Sequence, residues 1–140
     1  VKWEENVRVS LAVLALAALV LSCRSPRTEQ PSLRVFGNEP FWNVTVSESD
    51  GITYQRMGEA EISFAYEPPD HPEAEIPTRV FGPLRDRAGE HEIEIRIREE
   101  DCPDTMADMI HPMRATVWID GEELSGCARR LDESPPVESP

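Results

Sequence analysis

The segment CPDTMADMIHPM, Cys102 to Met113, is the densest run of reactive side chains in the chain. It holds a thiol, carboxylates at Asp104 and Asp108, thioethers at Met106, Met109 and Met113, and an imidazole at His111. Those types suit a metal site, a redox loop or one arm of a disulfide. Thioethers with an imidazole favour monovalent copper, so Met106, Met109, His111 and Met113 form a candidate copper set. The competing reading is structural, because methionine side chains fill irregular gaps beside a disulfide. Zinc fits poorly, since the usual cysteine and histidine spacing is missing. Asp104 and Asp108 are expected to cap a short helical turn through TMADMI.

Catalytic patterns are absent from the sequence. There is no Gly-x-Ser-x-Gly, no zinc-protease helix and no phosphate loop. The three histidines, His71, His91 and His111, lie far apart, each beside an acidic residue or a proline. With 27 acidic residues present, carboxylate pairs arise by chance and single out nothing. The expected function is therefore non-catalytic, with no cofactor.

A chain of 140 residues accommodates one domain of ordinary size. Its net charge of −13 argues against nucleic acid and against electrostatic binding to anionic lipid. That charge favours solubility and suits a basic partner.

Location comes from the N-terminal region. Ser10 is followed by LAVLALAALVLS and then Cys23. The apolar run is about a dozen residues, the size of a signal-peptide core and short for a membrane-spanning helix. Val20-Leu21-Ser22-Cys23 resembles the lipobox of bacterial lipoproteins. That resemblance implies a leader over residues 1–22, an acylated Cys23 and a tether over residues 23–32 that contains Pro26 and Pro31. Arg24, in place of an aspartate after the cysteine, implies the outer membrane, with the domain facing the periplasm. A conventional cleaved signal and an uncleaved anchor are the alternatives.

If Cys23 carries lipid, Cys102 and Cys127 remain, in a compartment that oxidises thiols. An even pair there is expected to join. The bridge closes a loop of about 26 residues, worth about 3.5 kcal/mol in chain-entropy terms.

The elements that must hold these residues read as strands. In HEIEIRIRE, Ile93, Ile95 and Ile97 take one face while Glu92, Glu94, Arg96 and Arg98 take the other. Alternation of that kind marks a strand with one buried face. FWNVTVSE, EAEISFAY and MRATVWID repeat it. Asp50-Gly51 and Asp120-Gly121 supply hairpin turns, and Arg87-Ala88-Gly89 supplies a third break. The proline-rich, acidic run from Glu67 to Thr78 reads as an exposed loop. DESPPVESP at residues 132–140 has the composition of a disordered tail. The expected fold is all-β: a small antiparallel β-barrel or strongly curled meander of six to eight strands over residues 33–131, with one disulfide.

GNEPFW, Gly37 to Trp42, adds a local signal. Gly37-Asn38 suits a turn, and Pro40 fixes the backbone entering the next strand. Phe41 and Trp42 then point to opposite faces, one ring sealing the core and the other covering an end or meeting a partner. Together with Cys102-x-Asp104-x-Met106, Asp108, Pro112 and Gly126-Cys127, this motif resembles a family of bacterial envelope proteins, mostly uncharacterised lipoproteins. More distantly it resembles META (HslJ-like) domains. The resemblance covers Val35 to Ala128 and implies architecture and location rather than a reaction.

The leading expectation is a lipid-anchored, non-catalytic binding or maintenance module of the envelope. Glu39, Phe41, Trp42, Asp104 and Asp108 are its candidate partner surface. The membrane is reached through the acyl groups, and a basic envelope protein is the expected kind of protein partner. Two alternatives stand beside it. One is inhibition of a basic c-type lysozyme, by analogy of fold and charge alone. The other is monovalent copper binding by the methionine and histidine set.

Overall fold

A computed structural model of the protein describes residues 32–104 and 106–132. The leader, Cys23, the tether up to residue 31 and the tail from residue 133 lie outside the described residues.

Ten strands follow one another: β1 Leu33–Asn38, β2 Phe41–Ser47, β3 Gly51–Arg56, β4 Ile62–Phe64, β5 Thr78–Arg85, β6 Glu92–Arg98, β7 Cys102–Asp104, β8 Met109–His111, β9 Met113–Ile119 and β10 Glu122–Arg130. Eight of them form one antiparallel sheet in the order β4-β3-β2-β1-β10-β9-β6-β5. A bridge between Phe64 and Asp86 joins its two ends, so the sheet curls into a nearly closed barrel. Each barrel strand pairs with its neighbours in sequence, once β7 and β8 are set aside as an inserted hairpin. β1 pairs with β10, which brings the first strand against the last. Closure leaves few unpaired edges to attract other chains.

The period-two pattern decides which side chains fill the interior. Ile93, Ile95 and Ile97 on β6 are fully buried, and so are Val35, Val44, Ile52 and Val117 from four other strands. Burying each such side chain contributes about 1.5–3 kcal/mol. Met113, Ala115, Val117 and Ile119 line up on the inner face of β9, as the alternation requires. Turn chemistry matches the backbone. Asp120 and Gly121 both have positive φ, at 51° and 82°, as a two-residue hairpin turn demands. β5 is bent by a bulge between Phe81 and Leu84. There Gly82 has φ 97°, and an added Cβ would press on the carbonyl of Ile93.

One local expectation is corrected. Among its described residues the TMADMI segment forms no helical turn, although Asp104 does accept the N–H groups of Met106 and Ala107. β7 and β8 pair directly, Cys102 with His111 and Asp104 with Met109, and residues 106–108 are the hairpin tip. The apolar spacing is too short to bury a helical face, while the β7–β8 ladder joins the two short strands and the Asp104 side chain holds the turn between them. Asp108 sits exposed at that tip with φ 53° and caps nothing.

Candidate functional site

The three sequence signals meet at one corner of the barrel. β1 and β2 are joined through Glu39 and Pro40, with a cis peptide between them. Alternation then sends Trp42 inward, 3% exposed, and Phe41 outward, 45% exposed. The indole needs room. Gly37 is the cross-strand partner of Trp42, and an added Cβ there would lie 2.5 Å from the indole nitrogen. A Cβ on Gly126 would strike the carbonyl of Phe36 and touch the same indole. The two glycines of the GNEPFW and Gly-Cys segments thus clear the space into which Trp42 packs.

Outside the barrel wall, the next residue along β10 does the complementary work. Cys127 is paired with Phe36 and faces outward. It bonds Cys102 with S–S 2.05 Å and Cα–Cα 5.6 Å, strapping the β7–β8 hairpin onto the outer face of β1 and β10. The His111 ring meets Phe36 edge-on at 4.8 Å. Asp104 anchors the hairpin. Its Oδ1 accepts the Asn38 side-chain amide at 2.9 Å and the backbone N–H groups of Met106 and Ala107 at 3.0 and 3.3 Å. Its Oδ2 lies 3.8 Å from His111 Nε2.

His111 is 4% exposed, and neither ring nitrogen has a hydrogen-bond partner. Burial pushes its proton affinity down, the Asp104 carboxylate opposes that shift, and the charge of Arg129 reinforces it. The imidazole is therefore neutral near pH 7. A cleft of about 250 Å³ runs between the hairpin and the barrel, lined by Asn38, Asp104, Arg114 and the disulfide.

The candidate copper set is divided by the barrel wall. Met113 belongs to the inner face of β9, and its sulfur accepts the Arg79 guanidinium at 3.1 Å. His111 packs on the outer face, and Met106 is exposed at the hairpin tip. Among the described residues, the histidine and acidic groups whose potential ligand atoms gather within 4.8 Å are Asp86, Glu90 and His91, on the β5–β6 turn. Asp86 is occupied there by the backbone N–H groups of Glu90 and His91. His91 Nδ1 lies 2.7 Å from Asp120 Oδ2, which raises its proton affinity. These contacts account for that turn as a structural joint.

The candidate partner surface is also divided. Glu39 and Phe41 are exposed together, Trp42 is internal, Asp104 is covered by the hairpin, and Asp108 stands apart at the tip. What the sequence reading missed lies beside Phe41. Met57, 72% exposed, donates its backbone N–H to the Phe41 carbonyl at 3.0 Å. The two side chains line a hollow of about 490 Å³ with Glu39, Pro40 and Arg56. They also end a groove of about 520 Å³ that runs back along β1 to Arg34 and Arg129. Only the register of β1 against β10 brings those two arginines together, and no local pattern signals it. No protein-family model, curated protein or solved structure matches this chain.

Proposed function

We propose that the protein is a non-catalytic binding module of the bacterial cell envelope, anchored by lipid at Cys23, which engages its partner through the Phe41–Met57 corner. The observation that carries this reading is the pairing of a half-exposed aromatic ring with an exposed thioether beside two hollows. Large exposed apolar side chains set together mark contact surfaces. The Cys102–Cys127 bridge supports the location, since such bonds persist where thiols are oxidised. The resemblance to envelope lipoproteins supports the anchor. The three histidines sit on separate elements, His111 buried and His91 held by Asp120, which supports a role without acid–base catalysis.

A photo-crosslinking side chain placed at Phe41 or Met57 in the full chain, expressed in bacteria, tests the corner. The same side chain at exposed Arg87 on the β5–β6 turn is the control. Adducts at the corner and none at the control are expected. Equal labelling at all three positions would remove the assignment. Acyl groups on Cys23, read by mass spectrometry of the same protein, test the anchor separately.

A further inference from the structure

The outer face of β10, β1, β2 and β3 is ordered by chemistry. Cross-strand register places Arg129 directly opposite Arg34. One step along, Phe36 faces Asn43, which faces Gln55. One step further, Asn38 pairs with Phe41, whose carbonyl takes the Met57 N–H. An arginine pair, a row of Phe36 with two amides, and a row in which Phe41 and Met57 follow Asn38 therefore succeed one another over four residues of strand, ~13 Å. The groove of about 520 Å³ runs across all three, and the Phe36 ring in its lining is held edge-on by His111 of the hairpin.

The arginines stand out against the rest of the surface. Arg56, Arg85, Arg96, Arg98 and Arg114 each lie within 4 Å of a glutamate. Among the described residues, Arg34, Arg87 and Arg129 have no carboxylate at that distance; Arg87 stands alone on the β5–β6 turn, whereas Arg34 and Arg129 lie side by side. Like charges directly opposite on neighbouring strands repel. In a chain of net charge −13, an unneutralised pair of cations beside an apolar floor is a place made for an anion.

We propose that this groove binds a single-chain anionic amphiphile, its head between Arg34 and Arg129 and its apolar body along Phe36 toward Phe41 and Met57. This rests on the binding reading of the corner and names the ligand class for it. One chain fits the volume, which lies within the range of small-ligand sites. The amides of Asn43 and Gln55 flank the middle of the path, where a polar group near the head would be held. Charge decides the head, and the exposed apolar row decides the far end.

The test is titration of the full chain with decanoate and with decyl phosphate, both below micelle formation, followed by calorimetry and tryptophan emission. Saturable binding by either is expected. Arg34→Gln with Arg129→Gln should weaken it about tenfold or more, as loss of charge-assisted contacts requires. Phe41→Ser with Met57→Ser should weaken it to a similar degree. Acetate and decanol, which carry the head or the body alone, should fail to compete at equal concentration. Binding unchanged in the double arginine variant, decanol as effective as decanoate, or no saturable binding would each overturn the assignment. A thermal midpoint within a few degrees of the parent shows that each variant is folded. Crosslinks at Phe41 without amphiphile binding would leave the corner standing and remove only this ligand class.

Discussion

The side-chain amide of Asn38 donates to Oδ1 of Asp104 at 2.9 Å, tying together residues 66 positions apart. This contact links the GNEPFW corner to the strapped hairpin. Asp104→Ala leaves the amide and two backbone N–H groups without their acceptor and should lower stability by about 2 kcal/mol. Asn38→Ala should lower it by about 1 kcal/mol, with a coupling of similar size in the double variant. Urea unfolding of the oxidised protein measures all three. Strict additivity would show that the contact contributes nothing of its own.

Reduction of Cys102–Cys127 frees the hairpin, while the backbone pairing of β1 with β10, in which Cys127 stands opposite Phe36, does not depend on the sulfurs. The expected loss is about 3.5 kcal/mol, from the entropy of the released loop. The far-UV spectrum of the barrel should survive. A collapse of the spectrum on adding reductant at 25 °C would mean that the strap holds the barrel itself.

Gly126→Ala places a methyl group against the Phe36 carbonyl and the Trp42 ring. The carbonyl belongs to the paired strand and cannot swing aside, so the cost should reach about 3 kcal/mol, the upper part of the usual overpacking range. Adding Trp42→Phe removes one obstacle and leaves the other, and no rescue is expected. Chemical unfolding followed by tryptophan emission reads the first change. An unshifted midpoint would show that the space between the glycines is loose.

The pH dependence divides between two histidines of opposite sign. His111 is held by burial below the usual value of about 6.5, so the unfolded chain takes up its proton first as pH falls. Its contribution is complete above about pH 6.5 and is lost on further acidification. His91 is raised by its hydrogen bond to Asp120, so its contribution is complete below about pH 6.5 and fades as pH rises through the higher folded value. His111→Gln should flatten the fall in melting temperature from pH 7 to about pH 5, whatever its effect on the midpoint. His91→Gln should steepen it. Identical slopes in the two variants would contradict both assignments.

Legibility in the sequence followed locality. The strands around Ile95, Val44 and Val117 alternate cleanly because each buries one face, and the two Asp-Gly turns carry their own backbone chemistry. β5 was hidden, since Gly82 and Pro83 interrupt its period at a bulge. β7 and β8 are three residues each, too short for any period, and TMADMI reads as a helical turn until the register of Cys102 against His111 is known. The even pair left once Cys23 is set aside, with the expectation of export, pointed to the disulfide. The groove was illegible, because Arg34 and Arg129 become neighbours only through closure of the whole chain. Phe41 was visible as one of two adjacent rings facing opposite ways, but its companion Met57 sits past the end of β3 with no signal.

The Leu131 N–H donates to the Ser32 carbonyl at 2.8 Å, so the chain enters and leaves the barrel at the same pole. The Phe41 corner lies one strand length away, at the opposite pole. A cargo joined directly at Ser32 or at Leu131 would crowd the same pole and leave the corner open. A rearranged chain opened at Asp120-Gly121, with Ser32 and Leu131 spliced by a short linker, would keep every pairing of the barrel except the turn that was cut.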